Sequence, residues 1–342
     1  MGSAGWTVAT ARELHEQFCA QRFGLFEHPD FRGSGFSVRG KVNEPRFVMR
    51  FAASTEHRDE VVRAIPKRFL GIDVVAEFVG VEAAGACMDR LRRATGRRPR
   101  QAWPGWPGSA LRAVGLRKGG TLGCFVRDAS AVYALTCEHV LTNSKERPRV
   151  GTKVTSYVVR NKNHEVTLGT VAPTPKGTGP EHDCALVRLG ECAPAPINVL
   201  PAIGQLSTEV VDLDGMKLGT LVCKYGASSG LTVGTLSGVH NVTQERDGGV
   251  VVTLKGVTEV TPEYHGKHRY SSFCSRGDSG SVVAIYTDRS TDVPALGLLV
   301  SRETLLERGY IIGLKALIEC LNVRMCGAGD TVAGVSGRKR GA

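Results

Sequence analysis

The chain has 342 residues, 42% of them hydrophobic, so it can bury a large core and is predicted to be globular. No segment reaches 18 uninterrupted apolar residues, and the first 20 residues lack a basic stretch followed by an apolar one, so the sequence predicts neither a membrane span nor a secretion signal. The net charge of +11 points only weakly to nucleic acid or an anionic surface as a partner.

Residues 1–95 carry two kinds of periodicity. Apolar residues at helical spacing, such as Leu14, Phe18 and Phe23, predict a first helix, and shorter apolar runs predict strands. The predicted helices cover residues 7–23, 55–68 and 81–95, and the predicted strands cover 46–53 and 73–81. The sequence therefore predicts a small α+β N-terminal domain. Because it has no catalytic or nucleotide-binding motif, we expect a regulatory or recruitment role, in which residues 1–95 bind a protein partner.

A basic and turn-rich stretch follows. The segment from Trp103 to Gly108, rich in Pro, Gly and Trp, is typical of an interdomain linker, and residues 96–108 are predicted to form it. Six arginines run into this linker, and three interpretations of them stay open: a solvated helix end, an anion-binding patch or a processing site. They are Arg90, Arg92, Arg93, Arg97, Arg98 and Arg100. At the other end of the chain, residues 326–342 are predicted to form a flexible basic tail.

From about residue 120 the pattern changes to short apolar stretches rich in Val, Leu and Thr, separated by many glycines. Such stretches predict an all-β architecture. One predicted strand, Val132 to Thr136, runs into His139, and a second apolar strand begins shortly after Asp183. A carboxylate at the head of that strand can orient an imidazole.

The most informative segment is Gly277-Asp278-Ser279-Gly280, which precedes an apolar run. It offers a serine in a tight turn beside a carboxylate, and a serine hydroxyl becomes an effective nucleophile only with a base within hydrogen-bond reach. Taken singly, His139 fits a surface or core histidine, and Asp183 fits a turn residue. His182 is set aside as a rival base, because it lacks the strand-Thr-x-x-His context of His139. Together, the three segments favour a catalytic set.

These segments resemble a known family. Thr136-x-x-His139, Asp183-x-Ala185-Leu186 and Gly277-Asp278-Ser279-Gly280 are similar to the three signatures of the trypsin/chymotrypsin-like serine peptidases, in that family's order. The resemblance covers about residues 108–325 and is closest to the intracellular or bacterial-type branch. It implies a mainly β fold, with a chymotrypsin-like double antiparallel β-barrel over residues 109–325 behind the small α+β domain. The implied activity is that of a serine endopeptidase acting on protein or peptide substrates.

The resemblance also assigns roles to residues. Ser279 would be the nucleophile, His139 the general base and Asp183 the carboxylate that orients His139. The backbone N–H groups of Gly277 and Ser279 would form the oxyanion hole. Asp278 would be a structural anion that pairs with a cation and locks the oxyanion loop. Two other functions stay open: a non-catalytic protein- or peptide-binding scaffold on the same fold, and binding of nucleic acid or anionic lipid through the basic surface.

Departures from the family's pattern bear on specificity and activation. Phe273 stands six residues before Ser279, where an Asp would select Lys or Arg, so an uncharged side chain is favoured at the cleaved position. Ser301 and Arg302 are the candidate residues for the pocket wall. The catalytic domain has no Ile-Val-Gly-Gly type of start, so Asp278 needs another cation, or gains one only when a partner binds. We therefore expect the N-terminal domain to control activity through its position.

Cysteine usage favours a reducing compartment. Ten cysteines without a predicted secretion signal are best explained as reduced thiols, and Val140 and Ser275 occupy positions where secreted relatives carry disulfide cysteines. We expect a cytoplasmic protein, with the nucleus as a second location, and not a secreted one. No metal or cofactor is predicted, because the chain has no Cys-x-x-Cys pair. Three ligand-rich segments lack the spacing of a structural zinc site: Cys137-Glu138-His139, Cys184 with Cys192, and His265 with His268.

Overall fold

The computed structural model describes residues 5–21, 23–39, 44–79, 103–142, 148–158, 161–173, 182–246, 250–265, 268–269, 272–287, 292–303 and 307–332. The helix predicted at residues 81–95 and the arginine run before the linker lie outside these ranges. Within the described ranges, no helix combines the length and the hydropathy needed to span a bilayer.

The N-terminal module, residues 5–79, has two helices and a four-stranded sheet in the order β1-β2-β4-β3. Its elements are α1 Val8–Ala20, β1 Phe31–Arg39, β2 Glu44–Ala52, α2 Arg58–Ala64, β3 Arg68–Phe69 and β4 Ile72–Val79. The Thr7 side chain caps α1 by accepting the Thr10 N–H, and buried Phe18 stacks on Phe47 of β2 with ring centroids 4.6 Å apart. Compared with the sequence prediction, α2 is shorter at both ends and β1 is an additional strand.

The first barrel is built from seven short strands. They are β5 Ala110–Ala113, β6 Gly120–Thr121, β7 Cys124–Arg127, β8 Val132–Thr136, β9 Lys153–Val158, β10 Asn161–Val171 and β11 Ala185–Leu189. Every pairing among them is antiparallel, in the order β7-β8-β11-β10-β9-β5-β6. β6 and β7 stand at opposite ends of this order, and only residues 122–123 separate them along the chain, so the chain itself connects the two edges of the sheet.

The second barrel is a closed antiparallel ring in the order β14-β15-β16-β21-β20-β19. β13 extends this ring in parallel with β20, and β22 joins β7 of the first barrel. The elements after β11 are β12 Val199–Leu200, β13 Gly204–Val210, β14 Leu221–Gly226, β15 Gly230–Arg246, β16 Val250–Pro262, β17 Tyr264–His265, β18 His268–Arg269, β19 Val282–Ile285, β20 Asp292–Glu303, β21 Arg308–Gly313, α3 Leu314–Cys320 and β22 Arg324–Met325. The mainly β fold with two antiparallel barrels and an N-terminal helix is confirmed.

The sheet of the N-terminal module continues the sheet of the second barrel. β1 pairs antiparallel with β15 from Gly33↔Val242 to Ser37↔Gly238. The two strands approach so closely that a Cβ on Gly33 would overlap the Asn241 carbonyl oxygen and a Cβ on Gly35 would overlap the His240 ring. One hydrophobic cluster also spans the junction, with Phe36 of β1 and Val239 of β15 among its buried members. The N-terminal module and the second barrel therefore share both a sheet and a core.

The described parts of the predicted linker and tail lie against the first barrel. In the linker, the Gly105 N–H donates to Ser156 Oγ at 2.7 Å. In the tail, the Asp330 carboxylate lies 2.7 Å from the Arg127 guanidinium. Both segments therefore have specific polar contacts with the first barrel where the structure describes them.

Candidate active site

His139 is held by both oxygens of one carboxylate. It lies in the 3-10 turn Glu138–Val140, directly after β8, and only 2% of its surface is exposed. Its Nδ1 lies 2.6 Å from Asp183 Oδ2, and its backbone N–H donates to Asp183 Oδ1 at 3.1 Å. The register of β11 against β8, with Ala185 opposite Thr136, sets the two residues side by side. The structure thus brings His139 and Asp183 into direct contact.

Asp183 has an unusual backbone conformation. Its φ of +39° lies in the left-handed region, which costs a non-glycine residue roughly 1–2 kcal/mol. Its side chain is fully buried, and its carbonyl accepts the Glu138 N–H at 3.3 Å. Strained conformations persist only where surrounding contacts fix them, and they cluster at functional sites.

The free ring nitrogen of His139 is an acceptor. Because a carboxylate accepts hydrogen bonds, the ring proton is assigned to Nδ1, which leaves a lone pair on Nε2. Nε2 is buried and has no hydrogen-bond partner among the described residues, so Ser279 Oγ is not bonded to it in this structure. Such catalytic contacts are often long without substrate and shorten when the substrate binds.

Ser279 sits in a turn that is fastened to the first barrel. The Thr121 N–H donates to the Ser279 carbonyl at 2.8 Å, and Thr121 Oγ1 donates to the Gly277 carbonyl at 2.8 Å. Gly277 and Gly280 have φ values of +96° and +91°, and a Cβ on Gly280 would overlap Thr136 Oγ1. Two glycines are therefore needed, because the turn is left-handed and presses on the strand that leads to His139.

Two N–H groups of this turn stay available. The N–H of Asp278 donates to Ser275, that of Ser281 to Asp278 and that of Gly280 to Leu299, each at 2.8–3.0 Å. Among the described residues, the N–H groups of Gly277 and Ser279 donate to no acceptor. Two unpaired backbone donors, one of them the serine's own and the other two residues before it, are what an oxyanion hole requires.

Asp278 lies in a buried polar cage. Lys224 Nζ of β14 lies 2.9 Å from its Oδ2, and neither side chain is exposed. Ser229 Oγ donates at 2.6 Å, and the N–H groups of Ser228, Ser229 and Ser275 donate at 2.8–3.1 Å. A Cβ on Gly226 would overlap the carboxylate, so this glycine makes room for the anion.

The cage keeps Asp278 ionised. Burial alone would raise the pKa of Asp278, but the Lys224 ammonium and the Ser229 hydrogen bond outweigh burial and lower it below its usual value. The sequence alone did not indicate the cation that pairs with Asp278, and the structure shows that it is Lys224 of the same chain. The signal was a lysine in the middle of the apolar strand Leu221–Gly226, where burial requires a partner.

The three candidate pocket residues lie in the second barrel. Phe273 is fully buried, its N–H donates to the Glu307 carbonyl at 3.1 Å, and Lys224 Nζ lies 5.5 Å from its ring centroid. Ser301 is buried in β20, and Arg302 Nη1 lies 4.0 Å from the Glu307 carboxylate. Glu307 therefore connects Phe273 with Arg302.

One group of described residues has the spacing of a metal site. The ligand atoms of Cys137, His139 and Asp183 lie within 4.8 Å of one another. However, Cys137 Sγ donates to the Leu299 carbonyl at 3.2 Å, and His139 Nδ1 is occupied by Asp183. A metal ion would have to replace both contacts, so the donor set fits a hydrogen-bonded pair better than a cation site.

Comparisons with solved structures give related folds. The chain resembles serine proteases of the chymotrypsin type. Thermobifida fusca Protease A is 20% identical with a TM-score of 0.43, over 64% of this chain and 97% of that one. Cellulomonas bogoriensis chymotrypsin is 19% identical with a TM-score of 0.42, over 65% and 97%. Nocardiopsis protease is 18% identical with a TM-score of 0.43, over 65% and 98%.

At these identities and TM-scores, the similarities assign neither an activity nor a substrate to the chain. Comparisons with protein-family models and with curated proteins give no match. The chemistry of the site therefore has to be argued from its own residues.

Proposed function

We propose that the chain is a serine endopeptidase that hydrolyses peptide bonds through Ser279, His139 and Asp183 and an acyl-enzyme intermediate. The observation that carries this proposal is the buried Asp183 carboxylate that accepts both the Nδ1–H and the backbone N–H of His139. This contact sets the tautomer in which Nε2 acts as a base. Without a base, the hydroxyl of Ser279 would be a weak nucleophile.

The reaction begins with Ser279 Oγ attacking the carbonyl carbon of the substrate peptide, while His139 Nε2 takes its proton. The N–H groups of Gly277 and Ser279 donate to the oxyanion that forms, an interaction worth roughly 3 kcal/mol per donor in such sites. His139 then returns the proton to the leaving amine, which leaves an ester on Ser279. Water repeats the sequence and releases the acid product.

Asp278 and Lys224 influence this reaction by fixing the conformation of the turn that contains Ser279. The Lys224–Asp278 pair is completed within the chain, so the turn has its cation without a new N-terminus. In this proposal the oxyanion hole is formed before any processing step. The apolar ring of Phe273 favours an uncharged side chain at the cleaved position.

The proposal extends to location and control. The enzyme acts inside the cell, in keeping with its thiol-rich composition. Its N-terminal module controls activity through its position against the second barrel, and the β1–β15 pairing supports this role.

The decisive experiment is labelling of the full chain with a fluorophosphonate probe, which reacts with an activated serine. We expect labelling of the wild-type chain and of Ser281→Ala, and none of Ser279→Ala. Ser281 is a matched control, because its buried hydroxyl lies two residues from Ser279 and has no partner among the described residues. An unlabelled wild-type chain, or equal labelling of Ser279→Ala, would contradict the proposal and favour a non-catalytic scaffold.

A further inference from the structure

A buried cluster of four charged side chains joins the N-terminal module to the second barrel. Arg50 of β2 and Glu77 of β4 are directly opposite each other in the module's sheet. Glu259 of β16 and Arg308 of β21 come from the second barrel. The cluster is called the junction cluster below.

Its distances are those of tight ion pairs. Glu259 Oε2 accepts from Arg50 Nη2 at 2.5 Å and from Arg308 Nη1 at 2.9 Å. Arg308 Nη1 also lies 3.1 Å from Glu77 Oε2, and Arg50 Nε lies 3.5 Å from the same oxygen. Each carboxylate therefore meets both guanidinium groups, and two of the four pairs, Arg50–Glu259 and Arg308–Glu77, cross the boundary between the module and the barrel.

Burial makes the cluster interdependent. The exposed fraction of the side chains is 0% for Arg50, 1% for Glu259, 5% for Arg308 and 10% for Glu77. A buried ion pair is tolerated only when every charge is matched, and removing one member leaves its partner uncompensated. Arg308 is thus held in one place by two carboxylates, one of which belongs to the N-terminal module.

The backbone that begins at Arg308 packs against Phe273, one of the three candidate pocket residues. The Arg308 carbonyl accepts Cys274 Sγ–H at 3.4 Å, next to Phe273. A Cβ on the following residue, Gly309, would lie 2.8 Å from the Phe273 ring and 3.3 Å from Cys274 Sγ. Gly309 is also opposite Arg302 in the sheet. A small displacement of Arg308 would therefore change the contact between β21 and Phe273, because interiors this tightly packed transmit shifts.

We propose that Glu77 and Arg50 are positioning residues for substrate specificity: they hold Arg308, and through it the β21 wall against Phe273. The inference rests on the proposed function, because a pocket wall selects a substrate side chain only in an active protease. It makes the N-terminal module a support for the substrate pocket of this chain.

The test compares Glu77→Gln with Arg12→Gln in the full chain. Arg12 also joins the module to the second barrel, with Nη2 2.7 Å from Asp214 Oδ1 and Nη1 2.6 Å from the Gly256 carbonyl. Neither of these two contacts involves β21. Both variants weaken docking of the module. Only Glu77→Gln changes a contact of Arg308, the first residue of β21.

The substrates are three peptides that differ only in the residue before the cleaved bond: Ala, Leu or Phe. For Glu77→Gln we expect the ratio of kcat/KM between the Phe and Ala peptides to change by about tenfold, mainly through KM. Labelling of Ser279 by the fluorophosphonate should stay within about threefold of the wild-type rate, since the triad is untouched. Arg12→Gln should leave the ratio unchanged even if it lowers the melting temperature.

Arg308→Lys is the second variant, and it tests the same inference if Glu77→Gln does not fold. Lysine keeps the charge but cannot reach two carboxylates with a planar fork, so we expect the same change in the ratio. An unchanged ratio in a labelled, folded variant would overturn this inference alone, as would equal changes in Glu77→Gln and Arg12→Gln. A wild-type chain that is not labelled would overturn the proposed function and this inference with it.

Discussion

Both barrels are built from antiparallel strands, but they are supported differently. In the first barrel, the buried His139–Asp183 pair depends on the neighbouring strands β8 and β11. In the second barrel, β15 is 17 residues long and carries the sheet of the N-terminal module on its outer part. The His139–Asp183 pair is thus formed by neighbouring strands of one barrel. The turn that contains Ser279 and strand β21 belong to a barrel that shares its core with the N-terminal module.

The largest effect that this comparison predicts is from a chain that begins at Gly108. Removing residues 1–107 exposes the β15 edge and uncovers side chains of the shared cluster such as Leu218, Leu236 and Val239. Each such side chain contributes about 1.5–3 kcal/mol, and a domain's net stability is only about 5–15 kcal/mol. We expect no cooperative thermal transition for the second barrel.

Circular dichroism and size-exclusion chromatography measure this outcome, with a chain lacking only residues 1–4 as the control. A truncated chain that melts like the wild type and labels at Ser279 would show that the two barrels are equally independent.

The second prediction concerns the first barrel. Asp183→Asn should lower kcat by about 10⁴, because an amide no longer fixes the Nδ1–H tautomer of His139. The exposed Asp212, paired with Lys315 at 3.4 Å, provides the control Asp212→Asn, which should keep wild-type kcat. A loss of less than tenfold for Asp183→Asn would remove Asp183 from the role of the residue that orients His139.

The third prediction concerns the cage of the oxyanion turn. Lys224→Met leaves Asp278 buried without its cation and should cost about 3–5 kcal/mol of unfolding free energy, measured by urea titration. Adding Asp278→Asn should recover part of this loss, since the uncompensated charge is then gone. No recovery would mean that the lysine stabilises the barrel by packing alone.

The pH dependence of the Lys224–Asp278 pair follows from the direction in which the pKa of Asp278 is shifted. The pKa of Asp278 is lowered in the folded chain. Its contribution to the free energy of unfolding is therefore present above the ordinary Asp pKa of about 3.9, and it is lost as pH falls through the pKa of Asp278 in the folded chain. In Lys224→Met the penalty should shrink at acid pH, because a protonated Asp278 needs no cation. A penalty independent of pH would contradict the ion pair.

The smallest expected effect lies in the N-terminal module. Burial lowers the pKa of His15 from 6.5 to about 4, and His15 Nε2 lies 2.8 Å from Ser34 Oγ. Below pH 6.5 the unfolded chain binds a proton that the folded chain does not, so stability falls as pH decreases towards 4. Between pH 7 and pH 5 the loss is about 2 kcal/mol.

His15→Gln should remove this slope in urea titrations at the two pH values, whereas His57→Gln, at a side chain 63% exposed, should keep it. An unchanged slope in His15→Gln would assign the pH dependence to another group.

Local sequence was enough to predict several elements. Val132–Thr136 is a strand in the structure at the predicted bounds, and helix α1 lies within the predicted Thr7–Phe23. Periodicity and capping are properties of neighbouring residues, so they can be read from the chain. β1 was missed because Gly33 and Gly35 interrupt its pattern. Those glycines are explained only by the close approach of β15.

The sequence by itself determined the candidate residues, because Ser279, His139 and Asp183 each stand in a short, distinctive local context. Only the tertiary structure decided that Lys224 is the partner of Asp278, and that Glu77 and Arg308, 231 residues apart, form an ion pair. A charged side chain does not encode its partner locally. The partner depends on which strands fold together, and burial then makes that pairing obligatory.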